Sequence, residues 1–209
     1  MSGGRERDHG EGRERERARN DARRSRRAAA SGALRLFVAL YPDGATTNAL
    51  FESLAREELP PHRLTPHEQL HLTAHFIGEV EERRLADVVE SVAGAARAVA
   101  PFVLQPLHLA ALPETGPARL VAAVTDLPSA LLELHERLVA RLARGRNKRE
   151  TFLPHFTLAR FATPARVAID AALVHVPPLQ VTTVHLMQSR IGAGAVQHRG
   201  LAKFELVAD

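Results

Sequence analysis

Two short segments constrain this chain more than any other feature: Leu70-His71-Leu72-Thr73-Ala74-His75-Phe76 and Pro154-His155-Phe156-Thr157-Leu158-Ala159-Arg160. Side chains alternate faces along an extended strand. His71 and Thr73 therefore share one face, and Leu72, Ala74 and Phe76 turn the other way into a core. His155 and Thr157 share a face in the same manner, backed by Phe156 and Leu158. Each strand thus presents one imidazole and one hydroxyl side by side. Strict alternation also sets His75 on the face of His71, as a groove wall, and turns Arg160 away from His155.

The rest of the chain reads as strands and helices in alternation. Strands are expected over 34–40, 70–77, 102–111, 119–125, 155–161, 179–189 and 201–207, with Gly78 stopping the second. Helical spacing of apolar residues predicts helices over 46–58, 82–99 and 129–144, the last with Leu131, Leu134, Leu138, Val139 and Leu142 on one face. A short helix is expected over 165–173. Strand pairs follow each other directly in places, which favours an α+β fold with antiparallel sheets over a doubly wound parallel sheet. The two His-x-Thr strands fall at equivalent places in two halves of the body, a weak internal echo that suggests duplication.

Composition narrows the chemistry. The chain has 209 residues and no cysteine, so disulfides, thiolate nucleophiles and cysteine zinc sites are out. No apolar run approaches the roughly 20 residues needed to span a bilayer, and the charged start has no apolar stretch of a secretory signal. The net charge of +4 resides in residues 1–32, which hold ten arginines and six acidic residues. The remaining 18 basic and 18 acidic residues balance. Residues 1–32 are too polar to offset their ordering entropy and are expected to be a disordered Arg/Glu-rich tail, with residues 33–209 forming the folded domain. The tail is either a plain solvated extension or an electrostatic tether to RNA.

With 11 histidines and 11 threonines, chance supplies about half a His-x-Thr match, so one motif means little. Two in apolar strands, and no others, point to acid–base chemistry on a phosphodiester. Histidine titrates near neutrality, so one ring can accept a proton while the other donates one. Ring opening of a cyclic phosphate needs both acts, on opposite sides of phosphorus. Threonine hydroxyls donate hydrogen bonds to the non-bridging oxygens. No metal or cofactor is needed, and no carboxylate sits at a ligand spacing beside either motif. His62, His67, His108, His135, His175 and His185 lack repeated context and read as surface or structural residues.

Four stretches carry a family resemblance: Arg35 to Pro42, Leu70-His71-Leu72-Thr73 through Val80, Phe152 to Arg160, and Ser189-Arg190-Ile191-Gly192. The chain resembles the 2H phosphoesterase superfamily, specifically the RNA 2′,3′-cyclic phosphodiesterases once named 2′-5′ RNA ligases. The resemblance spans about residues 34–207. It implies two pseudo-symmetric lobes with antiparallel sheets facing a central groove, helices outside. It implies hydrolysis of an RNA or nucleotide 2′,3′-cyclic phosphate to a 2′-phosphate, with His71 as proton donor and His155 as proton acceptor. By it, Thr73 and Thr157 hold the phosphate and Arg160 matches an arginine that follows the second motif. His198 stands where the family usually has tyrosine. The implied partners are RNA ends or cyclic nucleotides, for a cytoplasmic monomer without metal or membrane. Two alternatives remain: a non-catalytic RNA-end binder using the arginine tail, and a 2′-5′ RNA ligase acting on tRNA halves.

Overall fold

The computed structural model describes residues 32–142, 152–169, 176–191 and 196–207. The basic tail lies outside the described residues apart from Gly32. The elements run β1 (Ala33–Leu40), α1 (Gly44–Leu54), β2 (His62–Leu64), β3 (Leu72–Glu81), α2 (Leu85–Ala96), β4 (Phe102–Leu104), β5 (Pro106–Leu112), β6 (Ala118–Thr125), α3 (Ser129–Leu142), β7 (His155–Ala165), β8 (Leu179–Val181), β9 (Thr183–Ile191) and β10 (Val196–Glu205).

The fold is α+β, and its strand pairs are antiparallel throughout. One eight-stranded sheet runs β10-β9-β1-β3-β7-β6-β5, with β2 paired to β7, and β4 and β8 form a separate two-stranded ladder. The sheet falls into two four-stranded halves, β10-β9-β1-β3 and β2-β7-β6-β5. A single rung, Leu72 opposite Phe156, joins them. The two expected sheets are therefore one sheet with a seam, and the two motif strands form that seam.

The sheet's two faces differ sharply in chemistry. On β1, Leu36, Val38 and Leu40 enter the main core, whereas Phe37 and Ala39 form a second cluster with Met187 and Tyr41 on the opposite face. The main core takes Leu50 and Leu54 from α1, Val88, Val92, Ala95 and Ala96 from α2, and Leu131, Leu134 and Leu138 from α3. These spacings of three and four residues place one stripe of each helix inward. The three helices thus cover one face and leave the other to line a groove. Asp43 starts α1 by accepting a hydrogen bond from the Thr46 amide at 2.7 Å, satisfying a donor that the helix leaves free.

Several expectations move. Gly78 does not stop β3, which continues to Glu81; its φ of 88° lets the strand pass an irregularity, a conformation open to glycine. No helix starts at Ala165. That residue closes β7 opposite Ala118, and 166–169 are irregular. The half-buried Val167 and Ile169 flank exposed Ala168, a period of two rather than 3.6. Residues 170–173 of that expected helix, and 143–144 of the third, lie outside the described residues. Strand β2 goes unread because all three of its residues are exposed and carry no apolar pattern.

Phe156 is fully buried behind the seam, whereas Phe76 is 60% exposed. Phe156→Ala should cost about 3–5 kcal/mol in urea denaturation. Phe76→Ala should stay within roughly 0.5 kcal/mol in the same assay.

Candidate active site

The seam sets the geometry. Leu72 pairs with Phe156 in antiparallel register, so His71 comes across from Thr157 and Thr73 from His155. Both histidines and both threonines are half-buried on the groove face, while Leu72, Ala74, Phe156 and Leu158 are fully buried behind them. The four residues expected to act together are brought together.

Each ring is oriented by the backbone. Nδ1 of His71 lies 2.7 Å from the Gln69 carbonyl, and Nδ1 of His155 lies 2.8 Å from the Leu153 carbonyl. A carbonyl only accepts, so both Nδ1 atoms carry the proton. The neutral rings then present Nε2 as a free lone pair, and both motifs use the carbonyl two residues earlier.

Two β-bulges correct strict alternation. On β7, Thr157 pairs with Ala122 but Ala159 with Val121, so Leu158 is an extra residue. A bulge sets two residues against one and shifts the alternation beyond it. Leu158 and Ala159 are both buried, and exposed Arg160 lands on the face of His155 and Thr157. On β3, Thr73 pairs with Ala39 but His75 with Val38, so Ala74 is extra. His75 shares the core side with Val38, its ring 6.0 Å from His135 of α3. It is therefore not a groove wall. Phe76, registered with Phe37, takes that face instead. The fifth residue after each histidine, Phe76 in one half and Arg160 in the other, is delivered to the groove by the same device.

Around His71 lies a shell of rings with no local sequence signature. Its ring centroid is 5.0 Å from Phe37, 5.8 Å from Tyr41 and 5.0 Å from His198. His185 stands 5.1 Å from Tyr41. A pocket of about 500 Å³ opens beside them, lined by Tyr41, Glu68, Gln69, His185, Gln197 and His198, with Met187 and Gly200. His185 therefore belongs to the groove rather than to a plain surface. His67 and His135 do have structural places, stacked on Phe51 and Phe152 respectively. His175 lies outside the described residues.

The groove holds its rings against protonation beside a standing cation, Arg160. Burial, the largest cause, lowers the His71 pKa to about 4; the hydrogen bond to the Gln69 carbonyl pulls it upward, and weaker repulsion from His198, Arg160 and His155 adds to the lowering. Burial and then Arg160 lower His198, whose buried Nδ1 has no hydrogen-bond partner among the described residues. Burial also lowers Arg160. Arg160 and the rings of His71 and His198, gathered around one spot with no carboxylate among the groups that shift them, favour an anion there. No group of three or more His, Cys, Asp or Glu side chains converges as metal ligands among the described residues. No helix among them is long and apolar enough to cross a membrane.

Comparison with known proteins bears on the family and the fold. The model of the 2′-5′ RNA ligase superfamily matches residues 42–192. TT0787 of Thermus thermophilus is 26% identical with a TM-score of 0.72, over 84% of this chain and all of that one. LigT of E. coli complexed with 3′-AMP is 24% identical with a TM-score of 0.71, over 84% of this chain and 99% of that one. A structure described as a phosphoesterase is 25% identical with a TM-score of 0.63, over 84% and 99%. No curated protein is a significant match.

In an NMR titration of the ligand-free protein, His71 should titrate near 4. Replacing a repelling cation, as in His198→Gln, should move it upward. The unfolded ring titrates near 6.5 and binds protons first, so His71 makes folding less favourable as pH falls from about 6.5 towards 4. Denaturation midpoints across that range check the sign.

Proposed function

Since the chain belongs to the 2′-5′ RNA ligase superfamily, enzymes acting on phosphodiester bonds, we propose that it hydrolyses the 2′,3′-cyclic phosphate of an RNA end or nucleotide to a 2′-phosphate, without a metal. The reading rests above all on the pair of backbone-tied histidines, each beside a threonine, meeting at one seam.

The chemistry follows from the tautomers. Nε2 of His155 takes a proton from water as the water oxygen bonds to phosphorus. The bond from phosphorus to the ribose 3′ oxygen breaks, and Nε2–H of His71 protonates that oxygen. Thr73 and Thr157 donate hydrogen bonds to the non-bridging oxygens as their charge grows. Arg160, on the same face, adds a cation at the His71 end. His71 must carry its proton to act as donor, yet the free ring is neutral at pH 7. The cyclic phosphate supplies the answer, because its negative charge beside the ring favours the protonated form and offsets the repulsion from Arg160. Substrate binding and protonation of His71 are then one coupled event.

The depressed His71 pKa also favours a second reading, with His71 as the base and His155 as the donor. An activated substrate separates the two. A phosphodiester that releases p-nitrophenolate needs little help from an acid. If His71 donates, His71→Ala keeps far more of its activity on that substrate than His155→Ala does. The reverse order exchanges the roles.

On a nucleoside 2′,3′-cyclic phosphate, either alanine variant should lose about 10²–10⁴-fold in kcat. Wild-type protein should turn over in excess EDTA and release the 2′-monophosphate, separable by chromatography from the 3′ isomer. Dependence on added metal, or full activity in both variants, would overturn the proposal.

A further inference from the structure

Strand β2 places Arg63 directly opposite Arg160 on β7. Residues opposed in an antiparallel ladder present their side chains on the same face, and like charges so placed destabilise the pair. Ion pairs among the described residues involve Arg83, Arg84, Arg137 and Lys203, not these two. Two exposed arginines thus stand opposed across the β2–β7 ladder on the face of His155 and Thr157, and no ion pair among the described residues joins either to a carboxylate.

We infer that Arg63 and Arg160 together hold a second phosphate of the substrate, the one on the 5′ side of the nucleoside that carries the cyclic phosphate. This deepens the proposed phosphodiesterase and rests on that reading, with His71 as donor. The site then favours RNA ends over nucleoside cyclic phosphates that lack a 5′ phosphate.

Three observations support the placement. First, β2 is rigidly tied to the strand that carries His155. Its continuation, Thr65, donates through its amide to the Leu158 carbonyl at 2.8 Å and through its hydroxyl to the Thr157 carbonyl at 2.7 Å. Second, the antiparallel seam sets Arg160, beyond Thr157, at the His71 end, and its charge is felt at both His71 and His198. Arg63 lies on the neighbouring strand, on the flank of β7 that β3 also occupies because β6 holds the other, roughly 5 Å away in backbone terms. Third, the ribose whose oxygen His71 protonates must also lie at that end, beside the open pocket at Tyr41, Gln69 and His198. The next phosphate along the strand is one nucleotide away, within the reach of an arginine on the strand beside Arg160. Paired guanidinium groups match phosphate oxygens through charge-assisted hydrogen bonds.

The test compares adenosine 2′,3′-cyclic phosphate with and without a 5′ phosphate. Wild-type protein should show kcat/KM about tenfold higher on the 5′-phosphorylated compound. Arg63→Gln should bring that ratio close to one, and Arg63→Lys should keep part of it. A second arm needs no turnover. Calorimetry on adenosine 2′,5′-bisphosphate against adenosine 2′-monophosphate should show the same preference, lost in Arg63→Gln, and its salt dependence should weaken by roughly one charge. No preference in wild type, or an undiminished preference in Arg63→Gln with native circular dichroism, overturns the inference. Failure to hydrolyse either cyclic compound counts instead against the phosphodiesterase reading, and the binding arm still decides the arginine pair.

Discussion

Leu72 and Phe156 meet as the only described rung between two four-stranded halves. Both side chains are fully buried behind the groove, so apolar burial fixes the register of the seam. A slip of one residue would send the histidines into the core and Leu72 and Phe156 into water. The juxtaposition of two imidazoles and two hydroxyls is therefore secured by the hydrophobic effect acting on their neighbours. The polar groups need supply no stability of their own.

What the seam brings close, the bulges complete. The extra residues Ala74 and Leu158 sit at the same distance from their histidines, and each reverses the alternation beyond it. The two halves then diverge in content. One delivers an exposed phenyl ring, Phe76, beside Phe37. The other delivers a guanidinium beside Arg63. A repeated scaffold thus carries an aromatic residue into one side of the groove and a guanidinium into the other.

Much of this was legible in the sequence. Period-two alternation exposed the two motif strands, and 3.6-residue spacing exposed the stripes of α2 and α3, because both patterns are local. The placement of His75 and Arg160 was not legible, since a bulge is decided by the partner strand's register. Nor was the role of His185 and His198. They reach His71 only through the order β10-β9-β1-β3, which sets strands more than a hundred residues apart in sequence side by side. The resemblance drew attention to position 198 without showing that its ring would press on His71. Strand β2 had no apolar signal at all, yet it carries Arg63.

The tie from each Nδ1 to the carbonyl two residues before it has a corollary for substitution. The acceptor is a main-chain atom, supplied by whatever amino acid stands at 69 or 153. The tie to the imidazole therefore places no demand on the side chain at either position, whatever else that side chain does. Exchanging the side chain at 69 or 153 would leave that tie in place so long as the backbone keeps its path.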